Sequence, residues 1–161
     1  MHNRRVLGIA LLLLFLTQTV SAEEFLVGHV ETFTTPDSDL SVLEKFIESA
    51  NTSLYVNVYT FTSYKIASFL LKDIKNGVSV YIIVEGSPVG GIKVDEKNII
   101  SELKKRGARV YLFNTKKLRY NHAKYAVADN TTLLVVTENF GQSAFLSLQK
   151  REQGLGRSYL R

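Results

Sequence analysis

Three features of the sequence predict an α/β fold with a mixed sheet. Apolar runs of strand length alternate with segments of helical periodicity, glycines stand where those helices should stop, and the last two runs are joined by turn residues instead of a helix. Helical connections make successive strands parallel, whereas a tight turn returns the chain antiparallel, so both pairings are expected in one sheet.

The elements follow in order. Phe25 to Glu31 reads as an opening strand, with His29 a core or strand-end residue in its apolar run. Leu40, Leu43, Phe46 and Ile47 recur at helical spacing and predict a first helix face. Leu54 to Thr60 is the next strand, and Ile66, Leu70 and Ile74 mark a second helix before a strand from Val78 to Glu85. Ile99, Ile100 and Leu103 mark a third helix, followed by a strand from Val110 to Asn114. Gly77 and Gly107 sit just past the second and third helices, where a C-terminal cap turns the chain left-handed. Gly86-Ser87-Pro88-Val89-Gly90-Gly91 lacks the pattern of a nucleotide phosphate loop and reads as a rim; Glu85 is a strand-end carboxylate facing the same mouth.

The final two runs carry the chemistry. Lys124 to Ala128 reads as a strand, Asp129-Asn130-Thr131-Thr132 as a turn, and Leu133 to Thr137 as the returning strand of a hairpin. A period of two puts His122 and Lys124 on one side. With the turn centred between Asn130 and Thr131, His122 is expected opposite Asn139 and Lys124 opposite Thr137, so four polar groups share a face. A phosphodiester repels anions, so its displacement needs a neutral nucleophile and cations or donors on the non-bridging oxygens. An imidazole meets the first need. An ammonium, a hydroxyl and a carboxamide meet the second. This set requires no metal and no cofactor.

The spacing His-x-Lys-x-x-x-x-Asp from His122 to Asp129 resembles the HKD signature of the phospholipase D superfamily, and Asn139 falls where that family's Gly-Ser-x-Asn segment ends. The segments 31–36, 53–61 and 75–86 are similar to the family's opening strand and loop, its second strand, and a helix end with the third strand. Lys150-Arg151-Glu152-Gln153-Gly154 is similar to its Asn-Arg-Glu-Trp-Gly box. The resemblance implies a layered fold with helices flanking a mixed sheet. It implies a catalytic set of His122, Lys124, Asp129 and Asn139, with Thr137 and Glu152 completing the substrate site. In that set His122 would attack phosphorus to form a phosphohistidine while Lys124 and Asn139 hold the oxygens. Asp129 would brace the hairpin or a partner's imidazole, and Glu152 would orient a histidine. Two such halves meet in the family, and this chain has one motif, so a homodimer or a second half from another chain is expected. Val136 and Thr137 stand where the family has Gly and Ser, Lys150 replaces the box's Asn, and Gln153 replaces its Trp.

The N-terminus has three parts of a secretory signal: the basic head His2-Asn3-Arg4-Arg5, an apolar core from Val6 to Leu16, and small residues at Val20-Ser21-Ala22. Residues 1–22 are thus expected to be removed, leaving a domain over 23–161 that is secreted or held at the outer cell surface. The apolar core is shorter than the roughly 20 residues that span a bilayer, although flanking residues can extend it into an uncleaved anchor. No integral membrane domain is expected after cleavage. About 139 residues remain, enough for one domain with its own core. Losing Arg4 and Arg5 takes the formal charge from +5 to +3, compatible with polyanionic partners. The absence of cysteine excludes disulfides, thiolate zinc sites and a cysteine nucleophile.

The expected substrate is a phosphodiester, in nucleic acid or a phospholipid head group. Nucleic acid is preferred because Lys116-Lys117-Leu118-Arg119-Tyr120 precedes the motif with cations and an aromatic, and no amphipathic lipid-binding helix stands out. The alternative is a catalytically silent phosphate- or nucleic-acid-binding module left by truncation of a two-motif enzyme.

Overall fold

The structure, a computed structural model, describes residues 26–34, 40–113 and 119–142. The chain divides into two compact units, Met1–Thr32 and Phe33–Arg161. In the first, residues 26–32 form neither helix nor strand, and His29 and Val30 are exposed. The strand expected from Phe25 to Glu31 is therefore absent over its described part, and His29 is not a core residue. An apolar run becomes a strand only where a neighbouring edge satisfies its backbone groups, and these residues join no ladder.

The second unit is built from α1 (Ser41–Glu48), β1 (Ser53–Val58), α2 (Tyr64–Lys75), β2 (Ser79–Glu85), α3 (Val94–Lys105), β3 (Arg109–Phe113), β4 (Lys124–Ala128) and β5 (Thr132–Val135). The five strands form one sheet in the order β3-β2-β1-β4-β5. β1 pairs parallel with β2, and β2 with β3, across the helical crossovers α2 and α3; β4 runs antiparallel to both β1 and β5. The expected mixed sheet is thus present, with strand boundaries displaced by one or two residues.

Local chemistry explains where the helices begin and end. Ser63 opens α2, its hydroxyl accepting from the Ile66 N–H at 3.3 Å, one of the four donors a helix start leaves unpaired. Asp95 and Glu96 lie in the first turn of α3 and Lys104 and Lys105 in its last, in the order the helix dipole favours. Gly77 and Gly107 adopt φ of 92° and 108° just past α2 and α3, as caps without a Cβ can.

Alternation along the strands puts Leu54, Val56, Val58, Val80, Ile82, Val84, Ala126, Ala128 and Leu134 into one core with Leu43, Phe46 and Ile47 of α1, Ile66, Phe69 and Leu70 of α2, and Ile99 and Leu103 of α3. Each of the larger ones, Val, Leu, Ile or Phe, contributes about 1.5–3 kcal/mol when fully buried. On the other face Tyr55, Ile83, Tyr111, Tyr125, Leu133 and Val135 are exposed. There Tyr55 stacks on Tyr81 with ring centroids 4.7 Å apart, and the Arg109 guanidinium lies 5.0 Å from the centre of the Tyr81 ring. No helix among the described residues is long and apolar enough to cross a membrane.

Parallel strands carry their carboxyl ends to the same side, so Val58, Glu85 and Phe113 line one end of the sheet, and the pairing of Val58 with Lys124 starts β4 there. The chain leaving β5 is clipped to this end. Thr62 and Ser63 N–H donate to the Phe140 carbonyl at 2.9 Å, Phe140 N–H donates to the Thr60 carbonyl at 3.2 Å, and the Phe61 and Phe140 rings meet edge to face at 5.6 Å.

Candidate active site

Lys124 is the first residue of β4 and points to the buried side, where 9% of its surface remains exposed. Burial lowers the pKa of its ammonium, and Glu138 opposes that shift. His122, two residues earlier, is exposed. The Lys124 Nζ lies 3.2 Å from both His122 Nδ1 and Nε2 and 3.2 Å from the His122 carbonyl. An ammonium only donates, so the ring nitrogen it bonds must be accepting. Equal distances to the two ring nitrogens put the ammonium against the imidazole, close enough for one phosphoryl group to touch both.

That space is an open cleft of about 620 Å³ lined by His122, Lys124, Tyr125, Leu133, Val135, Val136 and Thr137. His122, Lys124 and Thr137 are polar members of its lining, and Tyr125, whose hydroxyl accepts from Asn57 Nδ2 at 3.3 Å, joins Leu133, Val135 and Val136 in an otherwise apolar wall. Val136 thus adds bulk beside the cation where the family has glycine.

The hairpin register differs from the expected one. Tyr125 pairs with Val135, Ala126 with Leu134 and Ala128 with Thr132, and the Val136 N–H donates to the Lys124 carbonyl at 3.0 Å. Lys124 therefore faces Val136 instead of Thr137. Asp129 and Asn130 both adopt left-handed backbone, φ 51° and 56°, and the Thr131 N–H reaches the Ala128 carbonyl at 3.0 Å. The reversal closes in three residues, which moves every pairing by one. Thr137 reaches the cleft because β5 has ended by then. Asn139 does not line the cleft; it is half-buried, and its Oδ1 has no hydrogen-bond partner.

Asp129 lies at the far end of β4, about 16 Å from Lys124 at 3.3 Å per residue. Its carboxylate accepts from Ser53 N–H at 2.9 Å, Asn51 N–H at 2.8 Å, Thr52 N–H at 2.9 Å and the Thr52 hydroxyl at 2.8 Å. These bonds, led by that from Ser53, hold its pKa far below the usual carboxylate range. Of the two roles implied for Asp129, the structure shows the brace: it secures the hairpin against the start of β1 and stays away from the His122 and Lys124 cleft. Glu152, residues 116–118 and the N-terminal leader lie outside the described residues. Arg119 and Tyr120, the described end of the basic run, are exposed.

Two neighbours of His122 were not assigned site roles from the sequence. Tyr59 packs edge-on against the imidazole with centroids 4.7 Å apart, lies 5.8 Å from Lys124 Nζ, and accepts from the Val89 N–H at 2.8 Å through its hydroxyl. Periodicity could not point to it because β1 ends at Val58 and the alternation stops with it. Glu85 is buried at the mouth, as a strand-end carboxylate, and receives the backbone N–H groups of Ser87 at 2.8 Å and Asn121 at 2.7 Å. Asn121 in turn donates through Nδ2 to Asn57 Oδ1 at 2.7 Å.

The fold has known counterparts. Among solved structures, the chain is similar to Nuc, a phospholipase D family member from Salmonella typhimurium, with a TM-score of 0.62 and 21% identity over 78% of this chain and 87% of that one. It is also similar to NucT from Helicobacter pylori, with a TM-score of 0.56 and 22% identity over 74% and 83%. The cardiolipin synthase B proteins of Salmonella typhi and Salmonella typhimurium are 28% identical over 104 residues, 64% of this chain. The matched part spans 24% of those relatives' length. Residues 43–155, most of the chain and all of the site just described, match the model of the cardiolipin synthase PLD-like domain. The chain belongs to this family and, with it, to the phospholipase D superfamily.

Proposed function

We propose that this chain is a metal-independent phosphodiesterase of the phospholipase D type, with His122 as nucleophile. The observation that carries the reading is the convergence of the His122 ring nitrogens and the Lys124 ammonium, 3.2 Å apart, on one cleft. A His122 nitrogen attacks phosphorus and forms an N–P bond while the bond to the leaving oxygen breaks. The leaving oxygen takes a proton from a second histidine. Water then attacks phosphorus, gives its proton to that histidine, and breaks the N–P bond, which restores the imidazole. Lys124 and the Thr137 hydroxyl hold the non-bridging oxygens; Asn139 joins them if the loop after β5 turns its carboxamide inward. The second histidine is His122 of another copy or of a second half, oriented by Glu152.

Secretion, with cleavage after Ala22, is the location proposed from the leader, and N-terminal sequencing of the exported protein tests it. Nucleic acid is the preferred substrate, supported by exposed Arg119 and Tyr120, three and two residues before His122. The apolar wall of Tyr125, Leu133, Val135 and Val136 favours a second reading, a phospholipid whose chains lie against it. Hydrolysis of single-stranded DNA and of phospholipid vesicles, measured side by side, separates the two.

The central test uses a chromogenic aryl phosphodiester. Activity should persist in EDTA, fall to background in His122→Ala, and fall about 10²–10³-fold in Lys124→Met, the usual cost of losing one charge-stabilising donor. Quenching in alkaline denaturant should trap a phosphoprotein, stable to base and lost in acid, in the wild type only. Activity surviving His122→Ala refutes the assignment. The position of Asn139, outside the cleft lining, favours one alternative, a silent phosphate-binding module. A monomer in sedimentation that binds DNA without cutting it would select that alternative.

A further inference from the structure

The reaction above makes no use of Glu85, although it is among the most buried charged side chains in the molecule, 1% exposed. Such a carboxylate must be matched by donors, and both of its oxygens are. Oε1 accepts from the Ser87 N–H at 2.8 Å in the rim that follows β2, and Oε2 accepts from the Asn121 N–H at 2.7 Å in the segment that enters β4. One residue of β2 therefore ties the rim loop to the segment that carries His122. Asn121 immediately precedes His122. Its side chain is 7% exposed and is fixed to Asn57 of β1, whose own Nδ2 donates to the Tyr125 hydroxyl at 3.3 Å. The residue before His122 is thus anchored by backbone and side chain, while the imidazole itself stands in the open.

We propose that Glu85 is a positioning residue for His122, acting through the Asn121 N–H. This inference rests on the reading of His122 as nucleophile. Neither close analogue can replace the carboxylate. Glutamine keeps one acceptor and turns an NH₂ toward one of the two N–H groups, leaving a buried donor without a partner. Aspartate is a methylene shorter and cannot span both loops. A displacement of about 1 Å at a nucleophile costs about 10²-fold in rate, whereas substrate affinity depends on Lys124 and the cleft wall, which Glu85 does not touch.

The experiment compares the full-length wild type with Glu85→Gln, Glu85→Ala and Ser87→Pro, the last removing only the rim donor. In Glu85→Gln, kcat on the aryl phosphodiester should fall about 10–100-fold with KM within about 3-fold, while circular dichroism at the assay temperature shows a fully folded protein. Ser87→Pro should keep kcat within about 3-fold of wild type. In ¹⁵N-histidine spectra, His122, assigned through His122→Ala, should broaden or split in Glu85→Gln and Glu85→Ala, with His29 unchanged. Wild-type His122 signals in both Glu85 variants would overturn the proposal. So would a Ser87→Pro variant as impaired as Glu85→Gln, because the rim would then be the target. If the wild type cleaves nothing, the proposed function has failed, and the imidazole spectra still decide whether Glu85 positions His122.

Discussion

Lys124 and Asp73 are buried charged residues with opposite consequences for pH. The Lys124 ammonium is desolvated and its pKa lowered, so the folded state binds this proton less well than the unfolded chain and carries a cost wherever the lysine is charged. Lys124→Met should therefore raise the melting temperature at pH 7 by a few degrees, in line with the stabilisation of about 0.5–2 kcal/mol typical when a strained functional group is removed, while lowering turnover about 10²–10³-fold. A melting curve and a turnover assay on the same sample check both. Asp73 is 3% exposed, and burial, reinforced by Glu48 and opposed by Lys72, raises its pKa from 3.8 to about 6. Its folded pKa is raised, so the stability it contributes is complete below about pH 4 and is lost as pH rises through 6. Above that, Asp73→Asn should be the more stable protein by of order 2 kcal/mol. Urea midpoints from pH 4 to 8 should converge at the acid end and separate toward neutrality.

At the scale of elements, the β4–β5 hairpin is held at both ends by different chemistry. Asp129 closes one end with backbone N–H groups of residues 51–53, and the Phe140 clip closes the other. Because the Asp129 pKa is depressed, its contribution is present above about pH 4 and fades as pH falls below that. Asp129→Asn should lower the denaturation midpoint at neutral pH and leave kcat per folded molecule within about 3-fold of wild type, since the residue is at the end of β4 away from the cleft; a larger loss in kcat would return it to the catalytic set. Glu96, buried in α3, accepts from the Phe61 N–H at 2.8 Å, and burial raises its pKa. Glu96→Gln preserves an acceptor without the charge, so at neutral pH its stability should equal or exceed that of the wild type by up to about 1 kcal/mol; Glu96→Ala leaves a buried donor unpaired and should cost about 1–3 kcal/mol.

At the scale of the molecule, the site has one face. The described residues bring one imidazole and one ammonium to the carboxyl ends of the parallel strands, and the proposed mechanism takes its acid from a second histidine. If the complete enzyme is a pair of chains, mixing His122→Ala with Lys124→Met protomers cannot restore a full set of two histidines and two lysines, so mixed samples should show no more activity than either variant alone. Sedimentation of the active wild type should give a dimer, and activity per chain should fall on dilution below the dimer dissociation constant.

Much of this was legible in the residues because strand and helix periods are local properties. Leu54, Val56 and Val58, or Ile66 and Leu70, reveal their buried faces without reference to anything distant, and Gly77 and Gly107 mark helix ends because only a left-handed turn closes them. His122 and Lys124 were legible for the same reason, two residues apart at the start of one strand. The N-terminal run from Phe25 to Glu31 was misread because strand formation needs a partner that the run cannot supply. The one-residue error in the hairpin came from Asp129 and Asn130 both turning left-handed, a backbone choice their side chains permit without demanding. The sequence by itself determined the element types, the core faces and the pairing of an imidazole with an ammonium at the start of β4. Only the tertiary structure decided that Asp129 braces β1, that Asn139 stands back from the cleft, that Tyr59 packs on the His122 ring, and that Glu85 holds the Asn121 N–H beside it. Those contacts join residues 36 to 78 positions apart or depend on where a strand ends, and no local period encodes either.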